Sequence, residues 1–328
     1  MAILVAGGAG YIGSHTALEL LEKKEDVIYL DNLTKGHKDA VMGGKFYQVD
    51  LLDTEALRKV FRENEIEAVI DFAAFSLVGE SVNEPIKYYQ NNVGATINLL
   101  KVMQEAGTKK IVFSSTAATY GEPENVPILE SDRTEPTNPY GETKLAVEKA
   151  LKWADRAYGI KYVSLRYFNA AGAHISGKIG EDHTPETHLI PLILDAALGK
   201  RESISIFGTD YPTQDGTCVR DYIHVTDLAN AHILAVEKLR RDHTSAVYNL
   251  GNGKGFSVRE VIDVAKEVTG LPIKVMEAER RAGDPAVLIA SSDKIKKELG
   301  WNPRFADLST IVETAFRWHQ SHPNGYEN

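Results

Sequence analysis

Short aliphatic and β-branched runs alternate with longer amphipathic stretches through the first half of the chain. The runs near residues 2–6, 27–31, 46–50, 68–73, 110–115 and 161–167 have the length of buried strands, and the helical periodicity between them predicts helices near 12–24, 54–64, 83–106 and 140–157. Strands joined in this way by crossover helices form a parallel sheet covered on both faces. The expected fold class is therefore α/β with a doubly wound parallel sheet.

After Asn169 the pattern breaks. Ala170-Ala171-Gly172-Ala173-His174 opens a Gly/His/Thr-rich segment that runs through Thr187 without a period and reads as a long loop. Such loops in compact proteins are usually functional, and this one starts where a sixth parallel strand ends. Beyond it the pattern predicts a helix near 188–198, a strand at 203–207, a helix near 226–239 and a mixed region to the C-terminus. The strand-helix pattern from Asp221 through Leu239 predicts a return of the chain to the sheet. The expected organisation is a first domain over 1–169, rejoined by about 217–240, and a smaller α/β domain over 170–328.

Composition narrows the function. The chain has 328 residues, 43 % apolar and 25 % charged, which suits a globular protein with a sizeable core. Its 37 basic and 46 acidic residues give a net charge of -9, so no nucleic-acid partner is expected, because phosphate-backbone affinity needs a basic face. A single cysteine, Cys218, allows no intrachain disulfide and suits a reducing compartment. Ala2-Ile3-Leu4-Val5 enters a strand directly, no secretory signal is expected, and no window approaches the roughly 20 apolar residues of a membrane span. The expected location is cytoplasmic, without a membrane partner or a metal centre.

Gly7-Gly8-Ala9-Gly10-Tyr11-Ile12-Gly13 follows the first strand and opens the first helix. Glycines at 7, 10 and 13 allow a tight turn and close backbone approach to a pyrophosphate lying on the helix N-terminus. Asp31 ends the second strand 18 residues after Gly13. A carboxylate there accepts bonds from adenosine ribose hydroxyls and repels a 2′-phosphate, so NAD is preferred over NADP; the nearest cation is Lys35. A glycine turn that binds nothing explains the glycines but not Asp31 at that distance. The sheet is accordingly of Rossmann type.

Asn138-Pro139-Tyr140-Gly141-Glu142-Thr143-Lys144 reads as a helix start, with Asn138 as N-cap and Pro139 at the first helical position. Tyr140 and Lys144 then share one face. A free phenol titrates near ~10. The Lys144 ammonium, the positive end of the helix and an oxidised nicotinamide are expected to lower it. Thr116, after Ser114-Ser115 at the end of the fifth strand, can bond both a reacting hydroxyl and Tyr140. Tyr-x-x-x-Lys is also a common surface pair, and the signal rests on its place after a Ser-Ser-Thr strand end in a chain with a dinucleotide turn.

Together these features resemble the extended short-chain dehydrogenases. GGAGYIGSH from Gly7, Asp31-Asn32-Leu33, YYQNNV from Tyr88, RYFN from Arg166, IFGTDYP from Ile206 and DGTCVRDYIHV from Asp215 are similar, more narrowly, to the nucleotide-sugar 4-epimerases of that family. The resemblance runs along nearly the whole chain. It implies NAD contacts from Gly7, Gly10, Tyr11, Ile12, Gly13, Asp31 and Asn32. Asp50 and Leu51 would flank the adenine, Phe72, Ala73 and Ala74 would pass the pyrophosphate, and Asn91, Tyr140, Lys144 and Phe168 would complete the site. For a UDP-sugar it implies Thr116, Tyr140, Asn169, His188, Leu189, Phe207, Arg220, Tyr222, Arg281 and Asp284, with guanidinium forks on the diphosphate. Taken alone, Arg220 and Arg281 read equally as salt-bridge partners of Asp215, Asp221 or Asp284.

The family's smaller C-terminal domain would hold the UDP-sugar, and a homodimer is implied. Three positions depart from the best-known bacterial form of the family. Ser76 stands where a lysine often reaches the cofactor phosphates, His188 replaces an asparagine of the sugar-nucleotide site, and Leu288 occupies the position where a bulky tyrosine can wall the sugar pocket against an N-acetyl group. The implied reaction interconverts UDP-glucose and UDP-galactose by oxidation at C4, rotation of the keto sugar and return of the hydride, with Tyr140, Lys144 and Thr116 catalytic. UDP-N-acetylhexosamines stay open as substrates. A 4,6-dehydratase would carry an Asp-Glu pair where Ala117-Ala118 stands. The same motifs also admit a dehydrogenase that releases NADH, or a non-catalytic NAD-binding regulator.

Overall fold

The computed structural model describes residues 1–281 and 284–327. Its main sheet is built from β1 Ala2–Ala6, β2 Val27–Asp31, β3 Lys45–Gln48, β4 Ile66–Asp71, β5 Lys110–Thr116 and β6 Lys161–Tyr167. Past these come β7 Asn169–Ala171, β8 Ile204–Phe207, β9 Val219–His224, β10 Ala246–Leu250, β11 Gly255–Ser257, β12 Val275–Ala278 and β13 Val287–Leu288. The helices are α1 Tyr11–Glu22, α2 Thr54–Glu63, α3 Val78–Asn83, α4 Pro85–Tyr88, α5 Ala95–Ala106, α6 Pro139–Tyr158, α7 Leu189–Ala197, α8 Val225–Asp242, α9 Val258–Thr269, α10 Asp293–Leu299 and α11 Leu308–Ser321.

The seven-stranded sheet has the order β10-β6-β5-β4-β1-β2-β3, all parallel. Alternation along β1 explains the two covered faces. Leu4 joins Leu30, Leu57, Leu99, Phe113 and Leu151 under α2, α5 and α6, whereas Ile3 and Val5 join Leu20, Tyr29, Val112, Leu228 and Tyr248 under α1 and α8. The expected doubly wound fold is thus present. Strand order reverses between β1 and β4, the point at which such sheets bind ligands beyond their carboxyl ends.

Two expectations are revised. The helix expected over 83–106 is broken: α3 ends at Asn83, Pro85 opens α4, and a π-helical turn over Tyr89–Gly94 leads into α5. Proline cannot continue a helix but suits a first position. In the π turn the Asn92 amide bonds both Phe75 N and Phe75 O, which holds the turn against the loop after β4. The return to the main sheet also differs from the strand-helix reading at Asp221–Leu239. β9 pairs with β7, β11 and β13 in a separate small sheet, α8 lies on the main sheet, and β10 is the strand that rejoins it. A further core joins α7, α9 and α11 through Ile193, Leu194, Val261, Ile311 and Val312.

Candidate active site

β1 delivers the chain to Gly7, whose φ is +72°, and a Cβ there would lie 2.9 Å from both Phe72 C and Ala73 N beyond β4. A Cβ on Gly13 would run into the Gly7 carbonyl. α1 starts after Gly10 without a side-chain cap, so its first amides keep free capacity for an anion. The turn therefore fits a dinucleotide pyrophosphate. Tyr11 Oη donates to Gly172 O at 2.5 Å, tying the turn to the loop after β7, and Ile12 lies half-buried on the main core.

Asp31 is buried at the end of β2, where Ala9 N donates to Oδ2 at 3.0 Å and Leu33 N to Oδ1 at 2.8 Å. Burial pushes its pKa up, and these two amides pull it back. Asn32 Nδ2 donates to Asp50 Oδ2 at 2.9 Å, which brings Asp50 and the buried Leu51 beside Asp31. Lys35 Nζ is engaged by Thr184 O at 2.7 Å. Phe72 packs 4.6 Å from the His232 ring, with Ala73 and Ala74 following it, and Ala73 N donates to Asp71 at 3.1 Å. Asn91 bonds Asn92 at 3.0 Å in the π turn, while Ser76 is exposed.

α6 begins as its sequence predicts: Asn138 accepts from Gly141 N at 2.9 Å and Pro139 follows. A Cβ on Gly141 would lie 2.5 Å from Ala118 O, so the helix start seats directly on the turn after β5. That seating brings the Tyr140 phenol beside the Thr116 hydroxyl. Burial raises the Tyr140 pKa and the neighbouring Thr116 hydroxyl lowers it. Lys144, expected to lower it as well, instead sends its buried Nζ to Ser114 O at 2.8 Å and lies 4.9 Å from the Phe113 ring. Burial depresses the Lys144 pKa to about 8 against the opposing pull of Asp71 and Glu148.

Beneath these groups lies a buried network that sequence reasoning missed. Glu148, on the Tyr140–Lys144 face one turn further along α6, accepts from Ser115 Oγ at 2.5 Å and from Arg166 at 2.9 and 2.6 Å. Arg166 also reaches Tyr120 Oη at 2.8 Å, and Tyr120 donates to Asn249 at 2.7 Å. The four-residue spacing from Lys144 was the available signal.

On the other side, Phe168 links β6 to β7, and Asn169 Nδ2 donates to Asp221 O at 3.0 Å across the β7–β9 pair. Arg220 pairs with Asp284 at 3.3 Å, Arg281 lies 4.0 Å over the Phe207 ring, and Tyr222 is buried in β9. The salt-bridge reading of Arg220 thus has its partner, and Arg281 has an aromatic one. Leu288 pairs in register with Arg220. Leu189 opens α7, preceded by His188, whose Nδ1 meets Glu181 Oε1. After Thr116 the turn holds Ala117 and Ala118 and no carboxylate.

The model of the NAD dependent epimerase/dehydratase family matches residues 3–251. The chain belongs to that family: it is an enzyme whose cofactor is NAD. Its relatives narrow the class. It is 63 % identical to the UDP-glucose 4-epimerase of Halalkalibacterium halodurans over 99 % of this chain and 98 % of the relative. A crystal structure of a UDP-glucose 4-epimerase superposes with a TM-score of 0.99 at 55 % identity over 100 % of both chains. The UDP-glucose 4-epimerase of Bifidobacterium longum, solved with NAD+ and UDP, gives a TM-score of 0.94 at 41 % identity over 99 % of this chain and 100 % of that one. By these likenesses the chain belongs with the UDP-glucose 4-epimerases.

Proposed function

We propose that the protein interconverts UDP-glucose and UDP-galactose, with Tyr140 as the acid/base at the sugar 4-hydroxyl. The observation that carries this reading is the placing of Tyr140, at the start of α6, beside Thr116 at the end of β5, where Ala117 and Ala118 follow and Gly141 seats on Ala118 O. NAD, when bound, supplies an acceptor that takes the C4 hydride and returns it. Tyr140 removes the hydroxyl proton and later restores it, while Thr116 orients that hydroxyl and stabilises the phenolate. Lys144 fixes the floor of the site through Ser114 O. Arg220 and Arg281 grip the diphosphate, Asn169, His188, Leu189, Phe207, Tyr222 and Asp284 hold the remainder of the nucleotide and sugar, and the 4-keto sugar turns between them to present its other face.

Residues 1–169 with the α8–β10 return hold the cofactor in this reading, and most of 170–328 holds the UDP-sugar. The lack of a carboxylate pair after Thr116 disfavours a 4,6-dehydratase, and Thr116, Tyr140 and Lys144 together disfavour a non-catalytic regulator. A homodimer through α5 and α6 is supported by Ile97 and Trp153, 45 % and 64 % exposed on these adjoining helices. The free Cys218 supports a cytoplasmic setting. The test is incubation of purified protein with UDP-galactose without added NAD. UDP-glucose should form; accumulation of a 4-keto-6-deoxy sugar or of free NADH would refute the reading.

A further inference from the structure

The loop between β7 and α7 carries four donors in one short stretch: Glu181, His183, Glu186 and His188. Their ligand atoms all lie within 4.8 Å of one another. His183 Nδ1 is 3.3 Å from Glu181 Oε1 and 3.6 Å from Glu186 Oε2, and His188 Nδ1 meets Glu181 Oε1. The two imidazole rings stand at 90° with centroids 5.2 Å apart, so their nitrogens approach from different directions instead of stacking. Bonds of about 2.0–2.1 Å at tetrahedral angles place neighbouring ligand atoms about 3.3–3.4 Å apart. Both His183 separations are already near that edge length.

The loop backbone is held from several sides. Trp318 Nε1 donates to Glu181 O at 3.2 Å, Tyr326 N to Asp182 Oδ2 at 2.9 Å and Lys35 Nζ to Thr184 O at 2.7 Å. Glu186 Oε1 accepts from Thr187 N at 2.6 Å and His188 N at 2.7 Å, which leaves Oε2 facing His183. A donor set positioned by its surroundings is what a metal site needs.

We propose that Glu181, His183, Glu186 and His188 bind one divalent transition-metal ion, zinc by preference, as a structural clasp on this loop. Two imidazoles and two carboxylates suit zinc, whereas magnesium and calcium favour all-oxygen shells. The two carboxylates balance the charge of the ion, and Glu181, the buried member of the set, gains a cation to face. The sequence alone predicts no metal here, because the donors converge only when the loop is folded. The ion joins the loop to the start of α7 at His188, and the His183 ring lies edge-on to Tyr11, 6.1 Å away, at the glycine turn. His188 binds the ion through Nδ1, the atom that meets Glu181, and turns Nε2 to the UDP-sugar, so the ion takes no part in the chemistry of the sugar.

The test uses the full chain, stripped with a chelator and titrated with zinc chloride by calorimetry at neutral pH, with magnesium chloride in parallel. One zinc per chain should bind, magnesium should not compete, and the melting temperature should rise. X-ray absorption should show two imidazole nitrogens and two carboxylate oxygens at about 2.0–2.1 Å. His183→Gln should weaken zinc binding by about 100-fold or more while the metal-free protein keeps its melting temperature. Glu186→Gln serves as the second variant should His183→Gln fail to fold. Failure of zinc to bind stoichiometrically, equal binding of magnesium, or unchanged zinc affinity in a folded variant would overturn the site.

Discussion

Lys144 donates to the carbonyl of Ser114 at 2.8 Å, two residues before the Thr116 that lies beside Tyr140. The lysine and the tyrosine on one face of α6 therefore have separate tasks: Lys144 anchors the helix to β5, and Tyr140 meets the sugar. Tyr140→Phe should lower kcat by about 10²–10⁴-fold, the usual worth of a positioned acid/base, and leave the absorbance of bound NAD intact. Retained turnover would refute the role given to Tyr140.

Glu148 and Arg166 form a buried bidentate pair. Removing one partner leaves an uncompensated buried charge, so Glu148→Ala should destabilise the protein by about 3–5 kcal/mol, read as a fall in the urea midpoint. The double replacement of Glu148 and Arg166 by apolar residues should cost less than Glu148→Ala alone.

Three buried histidines set the acid limit of the fold. Burial lowers His15 and His224 to about 3 and His232 to about 4, and the Nε2 atoms of His15 and His232 have no hydrogen-bond partner. Held neutral in the fold, they bind protons only once the chain unfolds. Stability is thus fully present above the unfolded value near 6.5 and falls as pH drops toward the folded values, by up to about 1.4 kcal/mol per pH unit for each histidine. Urea midpoints between pH 7.5 and pH 5 should trace that fall. His232→Leu should flatten it by one histidine's share; an unchanged slope would remove His232 from the account.

Gly13 admits no side chain, because a Cβ there meets the Gly7 carbonyl. Gly13→Ala should open the turn and release NAD. The protein should purify without the cofactor's absorbance and regain activity only with added NAD. A variant that retains NAD as tightly as the wild type would contradict the close approach.

Leu288 pairs with Arg220 at the edge of the small sheet. If its size leaves room for an N-acetyl group, UDP-N-acetylgalactosamine should be turned over alongside UDP-galactose, and Leu288→Tyr should suppress the acetylated substrate selectively. Strict preference of the wild type for plain UDP-hexoses would sink this expectation.

The sheet is legible in the sequence because β1, β2, β5 and β6 are short apolar runs spaced by helices of ordinary period, and the start of α6 because Asn138 and Pro139 mark it locally. The C-terminal half is less so. In β9, Arg220 and Asp221 interrupt the apolar pattern, because Arg220 faces a partner carboxylate and Asp221 accepts amides from Asn252 and Ala290. α9 carries local signals in the Ser257–Glu260 capping box and in the helical spacing of Val258, Val261, Ile262 and Ala265, and the expectation of a mixed region there missed both. The π turn, the Lys144 anchor and the Glu181–His188 cluster have none, since each depends on contacts between segments distant in sequence or on the folded path of a loop.

The tie between Lys35 and Thr184 bears on engineering the cofactor. Replacing Asp31 by a small neutral residue would remove the repulsion of a 2′-phosphate but supply no positive charge to greet it, because the nearest cation is already committed to the far loop. A switch to the phosphorylated dinucleotide calls for a new arginine at position 32 or 33, or for cutting the Thr184 tether so that Lys35 can swing back.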